Sequence, residues 1–465
     1  MKKRELLNLG IQGERQLDLA ISVCSQARSF GYKKAALRKA LLELCKNPDN
    51  FKTDPLFGDL ANALNSDEAE QTSNYVLKQD LHYNVWGDEI DPEALKQMHN
   101  ACRLPVSVAG ALMPDAHLGY GLPIGGVLAT DNAVIPYAVG VDIACRVMLT
   151  VLDIPLKKFE RNRAKFERAL EENTRFGLGA KWKPPKSHPV MDEDWNITPL
   201  LKSLKNLAWS QLGTSGTGNH FVEFGEFELS HPLPTLEAGR YLALVSHSGS
   251  RGSGGRIADH YSKVARAQHK RLPGDLKHLA WLDLTSCEGQ EYWQAMELMG
   301  RYASANHHLI HSAILQSLGS QAQMQVENHH NFAWKEVHQG RQVVVHRKGA
   351  TPAGKGVLGY VPGSMVAPGF LVEGLGNPAS LNSCSHGAGR RMSRRQAQNS
   401  TTWYELKKTL AEHDVTLLSA GLDEAPLAYK DIEAVMRAQS TLVKKLGRFL
   451  PKLVKMAPAG EKAED

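Results

Sequence analysis

Short runs of aliphatic and β-branched residues recur through the middle of the chain, and several lead directly into a glycine, a histidine or an aspartate. Examples are residues 126–129, 240–245 and 342–345. Runs of this length are typical of β-strands, and strands that end in glycine-rich loops place titratable side chains at the edge of a sheet. Helical spacing at about 156–172 and 288–318 adds helices to the core. The sequence therefore predicts an α+β fold with mixed sheets.

The two ends of the chain have a different pattern. Residues 11–48 carry apolar positions at helical spacing, interrupted at Gly31, which predicts a helical hairpin. The polar segment 49–79 indicates a linker. We therefore expect a helical N-terminal extension with its linker over 1–80, a main domain over 81–456 and a disordered tail over 457–465. Within the main domain, the basic segment 432–453 is expected to be helical.

Composition limits the class of protein. A chain of 465 residues that is 42% hydrophobic and 22% charged can bury a large core, which excludes disordered and fibrous classes. No apolar run approaches the roughly 18–20 residues that a bilayer crossing needs. The six cysteines are scattered without CxxC pairs, which is typical of free thiols in a reducing compartment. We expect a cytoplasmic protein without a membrane segment.

Two kinds of loop point to metal chemistry. Asp142 and Cys145 lie three residues apart on one turn, so that a carboxylate and a thiol could contact one ion. Three further loops place His220, His247 and residues 329–331 beside a glycine or an asparagine. Thiolate, carboxylate and imidazole together favour a transition metal such as Zn²⁺ or Mn²⁺, and a thiolate can bridge two ions. For each residue alone, a purely structural role is the alternative.

The chain carries nineteen histidines, and not all of them point to a site. The three histidines His307, His308 and His311 include an i, i+4 pair with the spacing of metal ligands. They lie in an otherwise ordinary amphipathic segment, so we predict a structural role for them.

Other glycine-rich segments indicate phosphate binding. Residues 349–355 nearly match a P-loop, but Gly356 replaces the serine or threonine that would hold Mg²⁺, and Pro352 interrupts the loop, so we reject a P-loop. Residues 385–390 offer backbone N–H groups to an anion, with Arg390 beside them. His386 then lies among phosphate-binding groups, where a neutral imidazole can act as a nucleophile towards phosphorus. A sequence pI near 8.8 also favours an acidic partner.

Nine segments together resemble the RtcB family of RNA ligases, and they occur in the family's order. These segments are residues 113–119, 139–145, 218–223, 247–252, 330–331, 345–351, 362–365, 385–390 and 423–426. The resemblance spans roughly residues 83–455, so the first eighty or so residues match nothing in the family core.

The resemblance implies an RtcB-like fold with a central metal and nucleotide cleft, and a catalytic domain over 81–456. It implies a GTP- and Mn²⁺-dependent ligase that joins RNA 3′-phosphate or 2′,3′-cyclic phosphate ends to 5′-hydroxyl ends. The reaction would pass through a guanylylated histidine and an RNA-3′-pp-5′-G intermediate, in RNA repair or tRNA splicing. The implied partners are RNA and GTP, with an archease-like activator as a further candidate, and the protein is expected to be a monomer.

The resemblance also assigns roles to residues. Cys145 would bridge two Mn²⁺ ions whose other ligands are Asp142, His220, His247 and His330, and GMP would be carried on His386. The expected nucleotide-binding residues are Asn219, His220, Phe221, Glu223, His330, Asn331, Pro362, Gly363, Ser364, Met365, Gly369, His386, Gly387, Ala388, Gly389 and Lys455. The expected phosphate- or RNA-binding residues are Arg251, Lys348 and Arg390.

The chain departs from the family pattern at a few positions. Arg146 follows the metal cysteine where glycine is common, which adds a cation and bulk beside the metals. Val366 and Gly369 differ in the nucleotide loop, and His307 stands where an Asn-Arg pair is common. With the unmatched N-terminal residues, these departures predict a diverged member with a specialised RNA target.

Three other functions are compatible with the same residues. A metal-dependent RNA phosphatase or cyclic phosphodiesterase would use the metal ligands without His386. A guanylyltransferase that caps RNA 3′-phosphates would need His386 but would not join ends efficiently. A non-catalytic RNA-binding protein would need neither the metal ligands nor His386.

Overall fold

The computed structural model describes residues 5–6, 9–11, 14–29, 31–71, 75–79 and 81–460. The chain divides into two compact units, residues 1–76 and 77–465. Residues 461–465, part of the expected tail, lie outside the described residues. Within the described ranges, no helix combines the length and the apolar character that a membrane crossing requires.

The helices and strands alternate irregularly along the chain. The helices are α1 (Glu14–Ser29), α2 (Lys34–Lys46), α3 (Gly58–Gln71), α4 (Pro92–Cys102), α5 (Pro136–Val139), α6 (Leu156–Arg161), α7 (Arg163–Asn173), α8 (Pro199–Gln211), α9 (Arg251–Gln268), α10 (Cys287–Leu318), α11 (Arg394–Asn399), α12 (Trp403–Glu412) and α13 (Ile432–Ala438). The strands are β1 (Tyr83–Val85), β2 (Ser107–His117), β3 (Ile124–Thr130), β4 (Ala133–Val134), β5 (Arg146–Leu152), β6 (Phe221–Leu229), β7 (Gly239–Ser248), β8 (Leu282–Asp283), β9 (Ala322–His329), β10 (Asn331–His338), β11 (Arg341–Lys348), β12 (Ala350–Pro352), β13 (Leu358–Val361), β14 (Gly369–Gly374), β15 (Ser383–Ser385), β16 (Thr416–Ser419) and β17 (Val443–Met456).

The first unit is a small helical unit with its own core. Helices α1 and α2 form around the apolar positions that the sequence predicts, and Leu17, Leu37 and Leu41 are buried there. The segment 49–79 contains more structure than the expected linker, because it includes helix α3. Leu60 and Ala61 of this helix are fully buried in the same core, although its surface positions are polar. A polar composition concealed the short apolar stripe that fixes this helix.

Two mixed sheets organise the second unit. One has the strand order β1-β2-β3-β11-β10. The larger has the order β13-β14-β17-β6-β7-β5-β9, and β16 lies beside β17. Strands β1 and β2 pair in parallel, as do β16 and β17, whereas the pairs along the larger sheet are antiparallel. The prediction of an α+β fold with mixed sheets is confirmed.

Helices α6, α7 and α10 cover one face of the larger sheet. Phe159 and Phe166 of the two short helices meet Phe224 of β6, and all three are buried. The Phe166 and Phe224 rings lie 5.3 Å apart, edge to face. Ile310 of α10 closes the same cluster. Burial of large aromatic rings therefore attaches the helical layer to the strands that carry the site.

The expected helix over 432–453 is wrong in its larger part. Helix α13 covers only its first residues, and β17 occupies the rest. Gly447 and Pro451 both disfavour a helix interior, and a register shift follows Pro451 where β17 pairs with β6. Strand β17 lies in the interior of the larger sheet, between β14 and β6. Its pairing with two neighbours outweighs the helical spacing of its basic residues.

We expect Phe224→Ala to destabilise the second unit strongly, because it removes a fully buried ring and leaves a cavity between β6 and helices α6 and α7. The free energy of unfolding should fall by about 3–5 kcal/mol in urea titrations followed by circular dichroism. Val337→Ala, at a side chain that is 71% exposed, is the control and should stay within about 0.5 kcal/mol of the wild type. Equal stability of the two variants would contradict this account of the core.

Candidate active site

The register of the larger sheet brings the predicted metal ligands to one edge. Cys145 directly precedes β5, and His220 directly precedes β6. His247 lies near the end of β7, and His330 directly follows β9. Arg146, the first residue of β5, pairs with the end of β7 on one side and the end of β9 on the other. Antiparallel pairing thus places two strand beginnings beside two strand ends.

The donor atoms form two groups that share the Cys145 thiol. Cys145 Sγ lies 3.4 Å from His220 Nε2 and 3.1 Å from His247 Nε2. His220 Nε2 is 3.1 Å from Asp142 Oδ2, and His247 Nε2 is 3.3 Å from His330 Nε2. One group is Asp142, Cys145 and His220, the other is Cys145, His247 and His330, and within each group the donor atoms lie within 4.8 Å of one another. The structure therefore brings all five predicted ligands together.

The turn that carries Asp142 and Cys145 is held in an unusual conformation. Ala144 has a φ of 58°, which is uncommon for a residue with a side chain. Its backbone N–H donates to the carbonyl of Asn331, and the Asn331 side-chain amide donates to the carbonyl of Asp142. Gly249 lies so close to Asp142 that a Cβ there would be 2.1 Å from the carboxylate oxygens. The loops that follow β7 and β9, the two strands beside β5, thus hold the turn and leave the carboxylate little room to move.

Burial and hydrogen bonding prepare these side chains for a cation. Burial lowers the pKa of His247 and of His330 well below the ordinary value, so both imidazoles are neutral and can donate a lone pair. His220 Nδ1 is 2.8 Å from the carbonyl of Ser215, and His247 Nδ1 is 3.2 Å from that of Asn219. These contacts leave the Nε2 atoms facing Cys145. The donor set fits two transition-metal ions that share a thiolate.

His386 lies next to this cluster and is oriented by a buried carboxylate. Its ring centroid is 4.9 Å from that of His330. Its Nδ1 lies 2.7 Å from Asp115 Oδ2, and the same oxygen accepts from the backbone N–H of His386 at 3.1 Å. Burial alone would raise the pKa of Asp115, but the hydrogen bond from His386 and the charges of His386, His117 and Lys430 together outweigh burial, so that the pKa is lowered. An ionised Asp115 favours the proton on Nδ1, which leaves the lone pair of the imidazole on Nε2.

Two connected cavities meet at these histidines. The larger is a cleft of about 1390 Å³ that includes Cys145, His220 and His386 in its lining. The smaller has a volume of about 100 Å³. Both are lined by His247, His330 and His386. The donor cluster and the candidate nucleophile therefore lie where the two cavities share their lining.

Most of the predicted nucleotide-binding residues line these cavities. Asn219 and His330 line both, His220 and Asn331 line the larger, and Glu223 lines the smaller, where burial raises its pKa well above the ordinary value. The other predicted residues around the smaller cavity are Phe221, Pro362, Gly363, Ser364, Met365, Gly369, His386, Gly387, Ala388 and Gly389. The Asn331 side chain also connects the turn at Asp142 to Gly349, because its amide nitrogen donates to the Asp142 carbonyl at 3.2 Å and its oxygen accepts from the N–H of Gly349 at 2.9 Å.

Lys455 is not brought to the pocket. It pairs with Val222 on β6, and that face packs against α7, where Lys455 Nζ donates to the carbonyl of Leu170 at 3.3 Å. Its neighbours Val454 and Met456 line the smaller cavity instead. Because side chains alternate along a strand, Lys455 lies on the opposite face.

Arg251 is also absent from the described linings of the two cavities. Its Nε donates to Thr214 Oγ1 at 3.0 Å and its Nη2 donates to the carbonyl of Gly177 at 2.9 Å. The guanidinium is buried and connects two loops near the ligands. Its position is that of a structural cation rather than a phosphate contact.

The other two predicted cations line the larger cleft. Lys348 Nζ donates to the carbonyl of Tyr120 at 2.5 Å, and burial lowers the pKa of Lys348 to about 7. Arg390 donates to the carbonyl of Asp423 at 2.7 Å and lies 3.4 Å from Glu424. Both side chains are therefore fixed in direction at the edge of the cleft.

The departures at Arg146 and His307 have local structural explanations. Arg146 Nη1 lies 3.2 Å from Glu327, and its Nη2 donates to the carbonyl of Gly300 at 2.8 Å. Glu327 therefore neutralises the charge of Arg146, which is not among the described residues that line the larger cleft. His307 and His311 both lie within 2.7 Å of Ser246 Oγ. Neither belongs to the donor groups found among the described residues, and the structural role of these histidines stays a prediction.

Asp115 is the functional residue that sequence reasoning missed. It stands in one of the recognised segments, but it is 271 residues from His386 in the chain. Its contact depends on the approach of β2 to the loop after β15, which no local pattern reveals. Within residues 113–119 the sequence shows Asp115 as a carboxylate, but neither its burial nor its partner.

Comparison with known proteins identifies the family. A family model described as tRNA-splicing ligase RtcB matches residues 97–198 and 194–456. The chain is 34% identical to the RNA-splicing ligase RtcB of Escherichia coli strain K12, over 80% of this chain and 96% of the relative. It is 32% identical to the Mycobacterium tuberculosis RNA-splicing ligase RtcB, over 76% and 98%, and 30% identical to the Methanococcus maripaludis tRNA-splicing ligase RtcB, over 76% and 89%.

The matched residues include the whole donor cluster, the candidate nucleophile, the lining of the smaller cavity and most of the lining of the larger one. Because the family model covers well over half of the chain, this chain belongs to the RtcB family.

Proposed function

We propose that this chain is a GTP- and Mn²⁺-dependent ligase that joins RNA 3′-phosphate or 2′,3′-cyclic phosphate ends to 5′-hydroxyl ends. Family membership makes it an RNA ligase. The observation that carries the finer proposal is the position of His386, oriented by Asp115 and in ring contact with a donor group that can hold a metal. A phosphatase or an RNA-binding protein would not need an oriented imidazole at this point.

The metal ions would be held by the two donor groups. Asp142, Cys145 and His220 would bind one ion, and Cys145, His247 and His330 would bind the other. Bound Mn²⁺ would supply charge neutralisation at the phosphates that react. The neutral imidazoles and the buried carboxylate favour a cation here. His330 Nδ1 is buried without a hydrogen-bond partner among the described residues, and a buried polar atom without a partner is costly.

His386 would carry the covalent chemistry. Its Nε2 would attack the α-phosphorus of GTP, forming a P–N bond while the bond to the bridging β-phosphate oxygen breaks and pyrophosphate leaves. Asp115 would stabilise the imidazolium that forms, because its carboxylate accepts the Nδ1–H. The RNA 3′-phosphate would then take GMP from the histidine, and the 5′-hydroxyl would displace GMP to form the new phosphodiester.

The smaller cavity is suited to the nucleobase. About half of its lining is apolar or glycine, and Glu223 is a buried polar group there that can bond to guanine. The larger cleft has room for RNA ends, and Lys348 and Arg390 at its edge fit the phosphates. This division supports joining rather than capping alone, because a second strand can enter beside the nucleotide.

The N-terminal unit would be an accessory to this activity. The family match begins at residue 97, whereas residues 1–76 form a separate unit with a core of their own. We place the catalytic domain at 81–456 and assign the extension to the choice of RNA target.

Labelling with α-³²P-GTP and Mn²⁺ tests the proposed nucleophile. Wild-type protein should acquire an acid-labile, alkali-stable label, and His386→Ala should acquire none because the attacking nitrogen is gone. His413→Ala, at an exposed histidine on the surface, should be labelled like the wild type. An unlabelled wild type, or a labelled His386→Ala, would contradict the proposal.

Cys145→Ala should abolish both high-affinity Mn²⁺ binding and labelling, since the thiol belongs to both donor groups. Metal content after gel filtration, circular dichroism and labelling are the measurements. Cys287→Ala, which removes an exposed thiol, is the matched control and should keep its metal. Two ions retained by a folded Cys145→Ala would overturn the shared thiolate.

Asp115→Asn should slow guanylylation by roughly a hundredfold or more, because the carboxylate charge that stabilises the imidazolium is lost. Single-turnover labelling measures the rate, and Mn²⁺ titration should show unchanged metal affinity. Asp275→Asn, at an exposed position, should behave like the wild type. A labelling rate within threefold of the wild type would show that Asp115 does not act on His386.

A further inference from the structure

The loop after Asp115 presents two large apolar side chains to the larger cleft. Leu118 is 54% exposed and Tyr120 is 65% exposed, and both line the cleft. The preceding His117 lies in the lining of both cavities. An exposed leucine and an exposed tyrosine are thus both part of this cleft lining. Together they form an apolar surface of the kind that a binding partner covers.

This loop is rigid. The Gln97 side chain pairs with both backbone groups of Gly119, donating to its carbonyl at 2.6 Å and accepting from its N–H at 3.0 Å. Gly121 has a φ of 74°, and a Cβ there would lie 2.9 Å from the carbonyl oxygen of His278. The exposure of Tyr120 is therefore imposed by a fixed backbone and is already present before any ligand binds.

The loop is also close to the proposed nucleophile. Lys348 Nζ donates to the carbonyl of Tyr120. The next residue, Gly349, is so near His386 that a Cβ would lie 3.3 Å from the imidazole Cε1. A chain of two contacts thus connects Tyr120 to His386. Tyr120 and His386 also line the same cleft.

The surroundings fit a nucleic acid end. Arg391 and Arg437 are exposed at the same cleft, and Lys348 and Arg390 are part of its lining. Cations beside an exposed aromatic ring are the usual components of a surface that binds single strands, because the phosphates meet the cations and the bases stack on the ring. An apolar peptide would not use these cations.

We infer that Tyr120, with Leu118 beside it, is the platform on which the terminal nucleobase of an RNA end stacks. The inference rests on the proposed function and adds a binding residue to it. Stacking is tolerant of sequence because every base has a π-face. The platform would hold an RNA end of any sequence near His386, on either the 3′-phosphate strand or the 5′-hydroxyl strand.

Steady-state joining of two short RNAs tests the platform. Tyr120→Ala should raise the KM for RNA about tenfold, in keeping with the loss of one stacked base, with a smaller effect on kcat. Tyr120→Phe keeps the ring and should restore the wild-type KM. Tyr404→Ala, which removes a tyrosine that is 78% exposed outside the described cleft lining, is the matched control and should leave KM unchanged. A KM for Tyr120→Ala within twofold of the wild type, or a failure of Tyr120→Phe to restore it, would overturn the inference.

An abasic terminal nucleotide identifies the strand that stacks. If the base of the 3′-phosphate strand contacts Tyr120, an abasic residue there should raise KM in the wild type and add nothing in Tyr120→Ala, whereas the same change at the 5′-hydroxyl end should act independently. The reverse pattern assigns the other strand. Additive effects at both ends would overturn the inference.

Labelling of His386 by GTP needs no RNA and separates this test from the proposed function. Labelled wild type with an unchanged KM in Tyr120→Ala contradicts only the platform. An unlabelled wild type contradicts the proposed function itself.

Discussion

The antiparallel register of β6, β7, β5 and β9 is the constraint on which the site depends. Side chains that are up to 188 residues apart in the chain, from Asp142 to His330, meet because two of these strands begin where the other two end. A slip of one residue in any pair would turn the adjoining ligand to the other face of the sheet. The hydrophobic clusters on both faces make such a slip costly, so the packing that stabilises the sheet also fixes the distances between the donors.

Burial gives these donors their chemical character. Water is largely excluded from the imidazoles, which keeps them neutral, while the carboxylates of Asp115 and Asp142 stay ionised through their contacts with histidines. The burial cost of the carboxylates is therefore offset by the groups that they orient. The same arrangement separates two kinds of histidine: those that face the shared thiol and the one, His386, that faces Asp115.

The sequence singled out the five candidate metal ligands and most of the residues that line the two cavities because these residues stand in contiguous segments whose order is typical of the family. It also predicted the strands with aliphatic runs and the two long helical segments. It could not predict contacts made between segments. The pairing of Asp115 with His386, the helix α3 in a polar stretch and the strand β17 in a basic stretch all depend on tertiary packing. Lys455 shows the same limit, because which face of a strand a residue occupies follows from its register with β6.

The central position of β17 has a consequence for the nascent chain during its synthesis on the ribosome. The strand is made last, after every metal ligand and His386, yet it fills the space between β14 and β6. Until residue 456 has left the ribosome, those two strands each present an open edge, which is a site for wrong pairing and aggregation. A nascent chain can contain all the ligands and still lack a complete sheet. Premature termination between residues 386 and 443 would thus produce a protein that has every candidate metal ligand and His386 but an incomplete sheet to hold them.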